Sequence, residues 1–214
     1  MLNLDALAAA ETRTQPYPYL VAWGAVTFED AERIRADLPP PDQKTAPGAA
    51  PAPTGAFADL VHELQSPTLS RLLASKLGLE LAGTTRQISV RRRLGRTDRE
   101  AIAPPPSDLC TVFLYLGEAS DEEQGGALRA LNSASDLNDF AEEVAPIAGN
   151  LVAIAGDPAH HYTHTAAPSG LHMVRLTYRL PPDARPVVPA EPAADDEAQN
   201  GFFSRFNPFK RRQD

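Results

Sequence analysis

The chain has very little cysteine. Cys110 stands alone in 214 residues, so neither an internal disulfide nor a thiolate zinc cluster can form, and its place beside an apolar strand predicts a packed thiol. Positive charge is also scarce, with 20 Lys and Arg against 28 Asp and Glu and a formal net charge of −8. Binding nucleic acid requires a cationic face that displaces phosphate counterions, so DNA and RNA are set aside as partners of the body of the chain. No apolar run approaches the ~18 residues of a membrane span. The opening stretch from Met1 to Ala10 lacks the basic start of a secretory signal. Together these absences predict a cytoplasmic protein in a reducing compartment. A nucleophile elbow is missing too, which removes the support a hydrolase triad would need around Ser107 and Asp108.

With 43% hydrophobic and 22% charged residues, the composition suits one soluble domain with a real core and flexible ends. The first half is helical in pattern. A short helix is predicted over Leu2 to Glu11, followed by an extended edge strand, because Pro16 and Pro18 bias their predecessors out of the helical region. Thr27 to Asp30 resembles a capping box and leads a helix to Leu38, which Pro39, Pro40 and Pro41 stop. After a Pro/Ala-rich loop, Phe57, Leu60, Val61 and Leu64 make one helical stripe. Leu69, Leu72, Leu73 and Leu77 make another, which starts at Ser66-Pro67 and ends at Gly78. Downstream the period changes to two: Ile88 to Arg91, Thr111 to Leu116, Leu151 to Ala155 and Met173 to Leu180 are predicted strands. Helices first and strands afterwards predict a mainly β fold, a jelly roll buttressed by flanking helices.

Several ordered pieces of the second half are familiar together. They are Thr111-Val-Phe-Leu-Tyr-Leu116, Gly125-Gly-Ala-Leu-Arg-Ala-Leu131, and Glu143-Val-Ala-Pro-Ile-Ala-Gly-Asn-Leu-Val152 ahead of a strand carrying His161. In order and spacing the chain resembles the bacterial prolyl-hydroxylase-like 2-oxoglutarate/Fe(II) oxygenases, from about Pro16 to Pro181. The resemblance implies a double-stranded β-helix, a cupin-like jelly roll, as the fold. It also implies dioxygenase chemistry on a protein side chain or small molecule, with Fe(II) and 2-oxoglutarate as cofactors. The iron would be held by His-x-Asp and a distant His, and the far carboxylate of 2-oxoglutarate by a basic residue on a late strand.

The ligand motifs themselves are degenerate. Counting back from Thr111 puts the His-x-Asp on Ile102-Ala103-Pro104, and neither Ile102 nor Pro104 has a side-chain lone pair. The distal histidine falls on His161, and the co-substrate contacts fall on His172 and Tyr115, with an imidazole where guanidinium is usual. One alternative shifts the register so that Asp98 joins His161, with His164 as a third ligand. Another has His160, His161 and His164 bind a metal by themselves, although on a strand His161 and His164 would point to opposite faces. The plainer reading is a relic whose rings bond backbone or water. Arg91-Arg92-Arg93 is read as a solvated edge, and Pro104-Pro105-Pro106 as a stiff loop where the metal motif would be.

The domain boundaries are placed at a lead-in over 1–15, the oxygenase-like domain over 16–182, an acidic Pro/Ala linker over 183–200 predicted to be disordered, and a tail over 201–214. In the tail, Phe202, Phe203, Phe206 and Phe209 are interleaved with Arg205, Lys210, Arg211 and Arg212. The leading expectation is a catalytically altered or inactive oxygenase-like protein that binds a small molecule or a protein. Two others stay open: an active dioxygenase with non-standard ligands, and an adaptor that docks a partner or an anionic membrane surface through 201–212.

Overall fold

Local chemistry delimits the helices. In helix α4 (Pro67–Leu77) the Ser66 side chain accepts from the Leu69 N–H, Pro67 occupies the first turn, and Gly78 closes the end in the left-handed conformation at φ 68°. Helix α2 (Phe28–Ala36) starts at Thr27, whose side chain accepts from the Asp30 N–H as the capping pattern predicts. Helices α1 (Leu4–Ala9) and α3 (Gly55–Leu64) complete the helical layer. The computed structural model describes residues 1–39, 53–92, 100–117, 125–165 and 171–182. Asp98, Arg93, the linker and the tail lie outside the described residues.

Among the described residues nine strands form two sheets. The larger contains β1 (Thr12–Arg13), β2 (Tyr19–Ala22), β3 (Thr85–Arg91), β4 (Asp108–Tyr115), β7 (Leu151–Ala155) and β9 (Met173–Arg179), in the order β1-β2-β7-β4-β9-β3. The smaller has the order β6-β5-β8, from β5 (Leu128–Leu131), β6 (Phe140–Val144) and β8 (His161–His164). Ile102 adds a bridge to Tyr162 on the free side of β8. All the pairings are antiparallel. Four strands of the larger sheet, β3-β9-β4-β7, thus face a row made by Ile102, β8, β5 and β6, which is the eight-position frame of a jelly roll.

The frame separates two cores. Along β4, Val112 and Leu114 join Leu60, Leu69 and Leu73 on the helix side, while Phe113 and Tyr115 join Val152, Ile154 and Tyr162 inside the barrel. That division is the period-two alternation of one strand buried on both faces. The helices therefore cover the outside of the large sheet, as the order of the elements predicts. Leu7 of α1 is fully buried in the same outer core, so the lead-in is packed with the domain. The strand at Tyr19 is internal, because β1 lies outside it and takes the edge predicted for it. At Gly156 the chain passes so close to β4 that a β-carbon would overlap the Asp108 carbonyl, and its N–H donates to the Leu109 carbonyl at 2.8 Å.

Cys110 is a packed thiol in this outer core, and burial pushes its pKa up from the ordinary value to about 12. The unfolded chain releases this proton at its ordinary value and the folded chain retains it. Stability is therefore full below that value and falls as pH rises towards 12, by about 1.4 kcal/mol per pH unit from this group. Urea melts at pH 9 and pH 10 should show a decline that is smaller in Cys110→Ala. Equal declines in the two proteins would contradict it.

Candidate functional site

The interior of the barrel is the place to look for chemistry, and the pairing of Ile102 with Tyr162 defines one wall. The two residues exchange both backbone hydrogen bonds, at 2.7 and 3.1 Å, so their side chains lie on the same side of the sheet. Tyr162 is buried in the inner core, Ile102 packs against it, and Pro104, two residues on, is also buried. Rings join this wall to Phe113 of β4 in the facing sheet. Phe113 and Tyr162 are 5.4 Å apart between centroids and Phe113 and His164 5.3 Å apart, both edge to face.

The histidines do not converge. His160 turns back to the chain, with Nδ1 2.7 Å from the Ala155 carbonyl and its ring stacked on Tyr17 at 4.7 Å. Alternation along β8 sets His161 on the face opposite Tyr162, and its carbonyl accepts from the Tyr17 hydroxyl at 2.5 Å. His164 is on the Tyr162 face, buried among aromatic rings. Among the described residues no group of three His, Cys, Asp or Glu could hold a metal ion. The resemblance sets the His-x-Asp on Ile102 and Pro104 and the distal ligand on His161, but His161 faces away from Ile102 and Tyr162 takes the position beside it. Ile102, Pro104 and Tyr162 do not fit Fe(II): two carry no lone pair and the third is a phenol.

The opposite wall is different. On β9, Val174, Leu176 and Tyr178 face the helices and Met173 faces the barrel, so Arg175 and Thr177 also face the barrel. The Arg175 guanidinium lies 6.0 Å from the Phe113 ring centre, and its side chain is 27% exposed, within reach of a ligand. Its Nη2 is also 4.0 Å from Asp108 Oδ2. Asp108, 1% exposed, accepts from Arg179 Nε at 2.6 Å and Nη2 at 3.1 Å. That bidentate pair raises the Arg179 pKa. Tyr115 is fully buried on the same inner face, which pushes its phenol well above its ordinary pKa. Among the described residues its hydroxyl has no hydrogen-bond partner.

His172, the cation position expected from sequence, instead precedes β9, where its carbonyl accepts from the Leu116 N–H at 2.7 Å. Two cations of the late strand share its inward face, Arg175 and the Asp108-paired Arg179. The signal for Arg175 lies in the predicted strand from Met173 to Leu180, where it alternates with the apolar residues Val174 and Leu176. The triple arginine also resolves in part, since Arg92 Nη2 donates to the carbonyls of Leu38 and Pro39 at 3.2 and 2.7 Å while Arg91 is exposed on edge strand β3.

Two facing antiparallel sheets with helices packed on the larger one define a double-stranded β-helix. Solved structures place it further, in the prolyl-hydroxylase-like 2-oxoglutarate oxygenase fold. A prolyl-4-hydroxylase from Pseudomonas putida is 18% identical, with a TM-score of 0.50 over 83% of this chain and 90% of that one. A prolyl 4-hydroxylase from Phytophthora capsici is 16% identical, with a TM-score of 0.54 over 75% of this chain and 58% of that one. At such identities the shared property is the fold. No protein-family model and no curated protein sequence matches the chain.

Proposed function

We propose that this protein is an altered, non-catalytic relative of the prolyl-hydroxylase-like oxygenases that binds a small carboxylate ligand in the barrel without holding iron. One observation carries the reading: Ile102, Pro104 and Tyr162 occupy the wall from which ligands would have to reach a metal. Arg175 supplies the opposite half of such a site, a guanidinium on an aromatic face that offers a carboxylate a bidentate, charge-assisted grip. Thr177, two residues on along the same face, adds a hydroxyl. The chain's residues can orient and neutralise an anion, and no redox step is derived from them. A cytoplasmic location belongs to the same proposal. Among the described residues no helix is long and apolar enough to cross a membrane.

Isothermal titration with 2-oxoglutarate, with and without Mn(II) or Fe(II), tests the proposal. Binding of the dicarboxylate should be independent of metal, and Arg175→Gln should weaken it by about tenfold, the loss of one charge-assisted contact. Tight, mutually dependent binding of metal and 2-oxoglutarate would overturn it. Release of succinate that disappears in His161→Ala would establish the active-dioxygenase alternative instead.

A further inference from the structure

One exposed surface lies apart from the barrel interior. Among the described residues three large apolar side chains are exposed, Trp23 at 58%, Phe28 at 46% and Ile147 at 41%. The chain segments that carry them adjoin in the fold. Ala22 pairs with Leu151, and the Val26 N–H donates to the Gly149 carbonyl at 3.3 Å, which lays the turn after β2 against the loop before β7. Ile147 belongs to that loop, and Phe28 begins α2 directly after the turn. Gly149 permits the approach, at φ 87° and with no room for a β-carbon beside the Val26 carbonyl. Large apolar side chains brought together on a surface otherwise dominated by polar groups are the chemistry of an interaction site. Acids flank it: Glu29 is exposed beside Phe28, and Asp5 is exposed in α1, whose leading Asn3 N–H donates to the Ala25 carbonyl at 2.7 Å.

Only one segment of the chain has the complementary chemistry. Residues 201–214 hold four of the eight phenylalanines and four of the 20 cations, with one of the 28 acids. Reach is no obstacle. The described chain ends at 182, just beyond the Arg179 end of β9, and the patch is at the Met173 end, a strand length of ~23 Å away. Residues 183–200 can span up to ~60 Å when extended. We infer that the tail docks in cis on the Trp23–Phe28–Ile147 patch, with its phenylalanines on the apolar surface and its cations towards Glu29 and Asp5. The inference is independent of what the barrel binds.

Trp23 is the only tryptophan in the chain, so its fluorescence reports the patch directly. Acrylamide quenching is measured on the full chain and on a full chain with Phe202, Phe203, Phe206 and Phe209 all changed to Ser. Quenching should be several-fold weaker in the natural protein, and a peptide of residues 201–214 added to the variant should restore protection saturably. A second variant, with Arg205, Lys210, Arg211 and Arg212 changed to Glu, should also lose protection. Because docking is intramolecular, protection should persist through roughly hundredfold dilution. Equal quenching of Trp23 in natural and variant chains would overturn the inference, and so would protection that fades on dilution, which would assign the tail to a second molecule.

Discussion

The triple substitution Ile102→His, Pro104→Asp, Tyr162→His should produce a chain whose melting temperature rises with Mn(II), which the natural protein's should not. The three positions lie on one wall, with Ile102 and Tyr162 backbone-bonded to each other and Pro104 buried two residues on. Two imidazoles and a carboxylate there would form the His₂-carboxylate set that leaves metal positions open. Without metal the change is costly. Tyr162 is 1% exposed and packs edge to face with Phe113, so truncating it and burying polar groups should remove about 3–6 kcal/mol. Metal at a hundred times its dissociation constant returns about 2.7 kcal/mol, a rise of roughly 5–10 °C in a domain of this size. Thermal melts of both proteins with and without Mn(II) provide the comparison. Should the triple variant prove too unstable, Ile102→His with Pro104→Asp retains the ring and still predicts a smaller shift. A folded variant indifferent to Mn(II) would mean that these side chains do not converge, and the account of an emptied iron site would go with it.

Asp108→Asn should both destabilise the protein and tighten its grip on anions. The carboxylate is buried, receives two hydrogen bonds from Arg179 and sits 4.0 Å from Arg175, while Ser107 Oγ is 3.3 Å from Oδ1. Breaking a fully buried ion pair costs ~3–5 kcal/mol, but Arg179 is 41% exposed, so solvent screening reduces the expected loss to about 1.5–3 kcal/mol. In melting temperature that is a fall of roughly 4–10 °C. The same change removes a negative charge 4.0 Å from Arg175, so 2-oxoglutarate should bind the variant several-fold more tightly. Differential scanning calorimetry and titration measure the two effects separately. A stable variant with unchanged affinity would mean that Asp108 neither anchors the end of β9 nor competes for Arg175.

Much of the architecture was legible because its signals are local. The capping hydroxyl of Thr27, the Ser66-Pro67 start and Gly78 stop of α4, and the leucine stripes of α3 and α4 each act within a turn or two of the chain. Strands β4, β7 and β9 were legible as apolar runs because both of their faces are buried. Short or half-exposed elements were not: β1 has two residues, and β6 alternates exposed and partly buried positions without an apolar run. The prolines before Tyr19 predict an edge strand there, whereas the pairing of Thr12 with Leu20 adds a strand beyond it.

The candidate site divides along the same line. The amino-acid sequence by itself determined that Ile102 and Pro104 offer no metal ligand, that Cys110 has no thiol partner, and that aromatic and basic residues gather in 201–212. Only the tertiary structure decided which side chains share a space. Ile102 meets Tyr162 across 60 positions of chain, Asp108 meets Arg179 across 71, and β8 separates His161 from His164 by turning them to opposite faces. It also placed an inward cation at Arg175, three residues beyond His172. The reason is physical: a strand's side chains alternate with a period of two, so a register set by distant pairing partners reverses inside and outside with a shift of one residue.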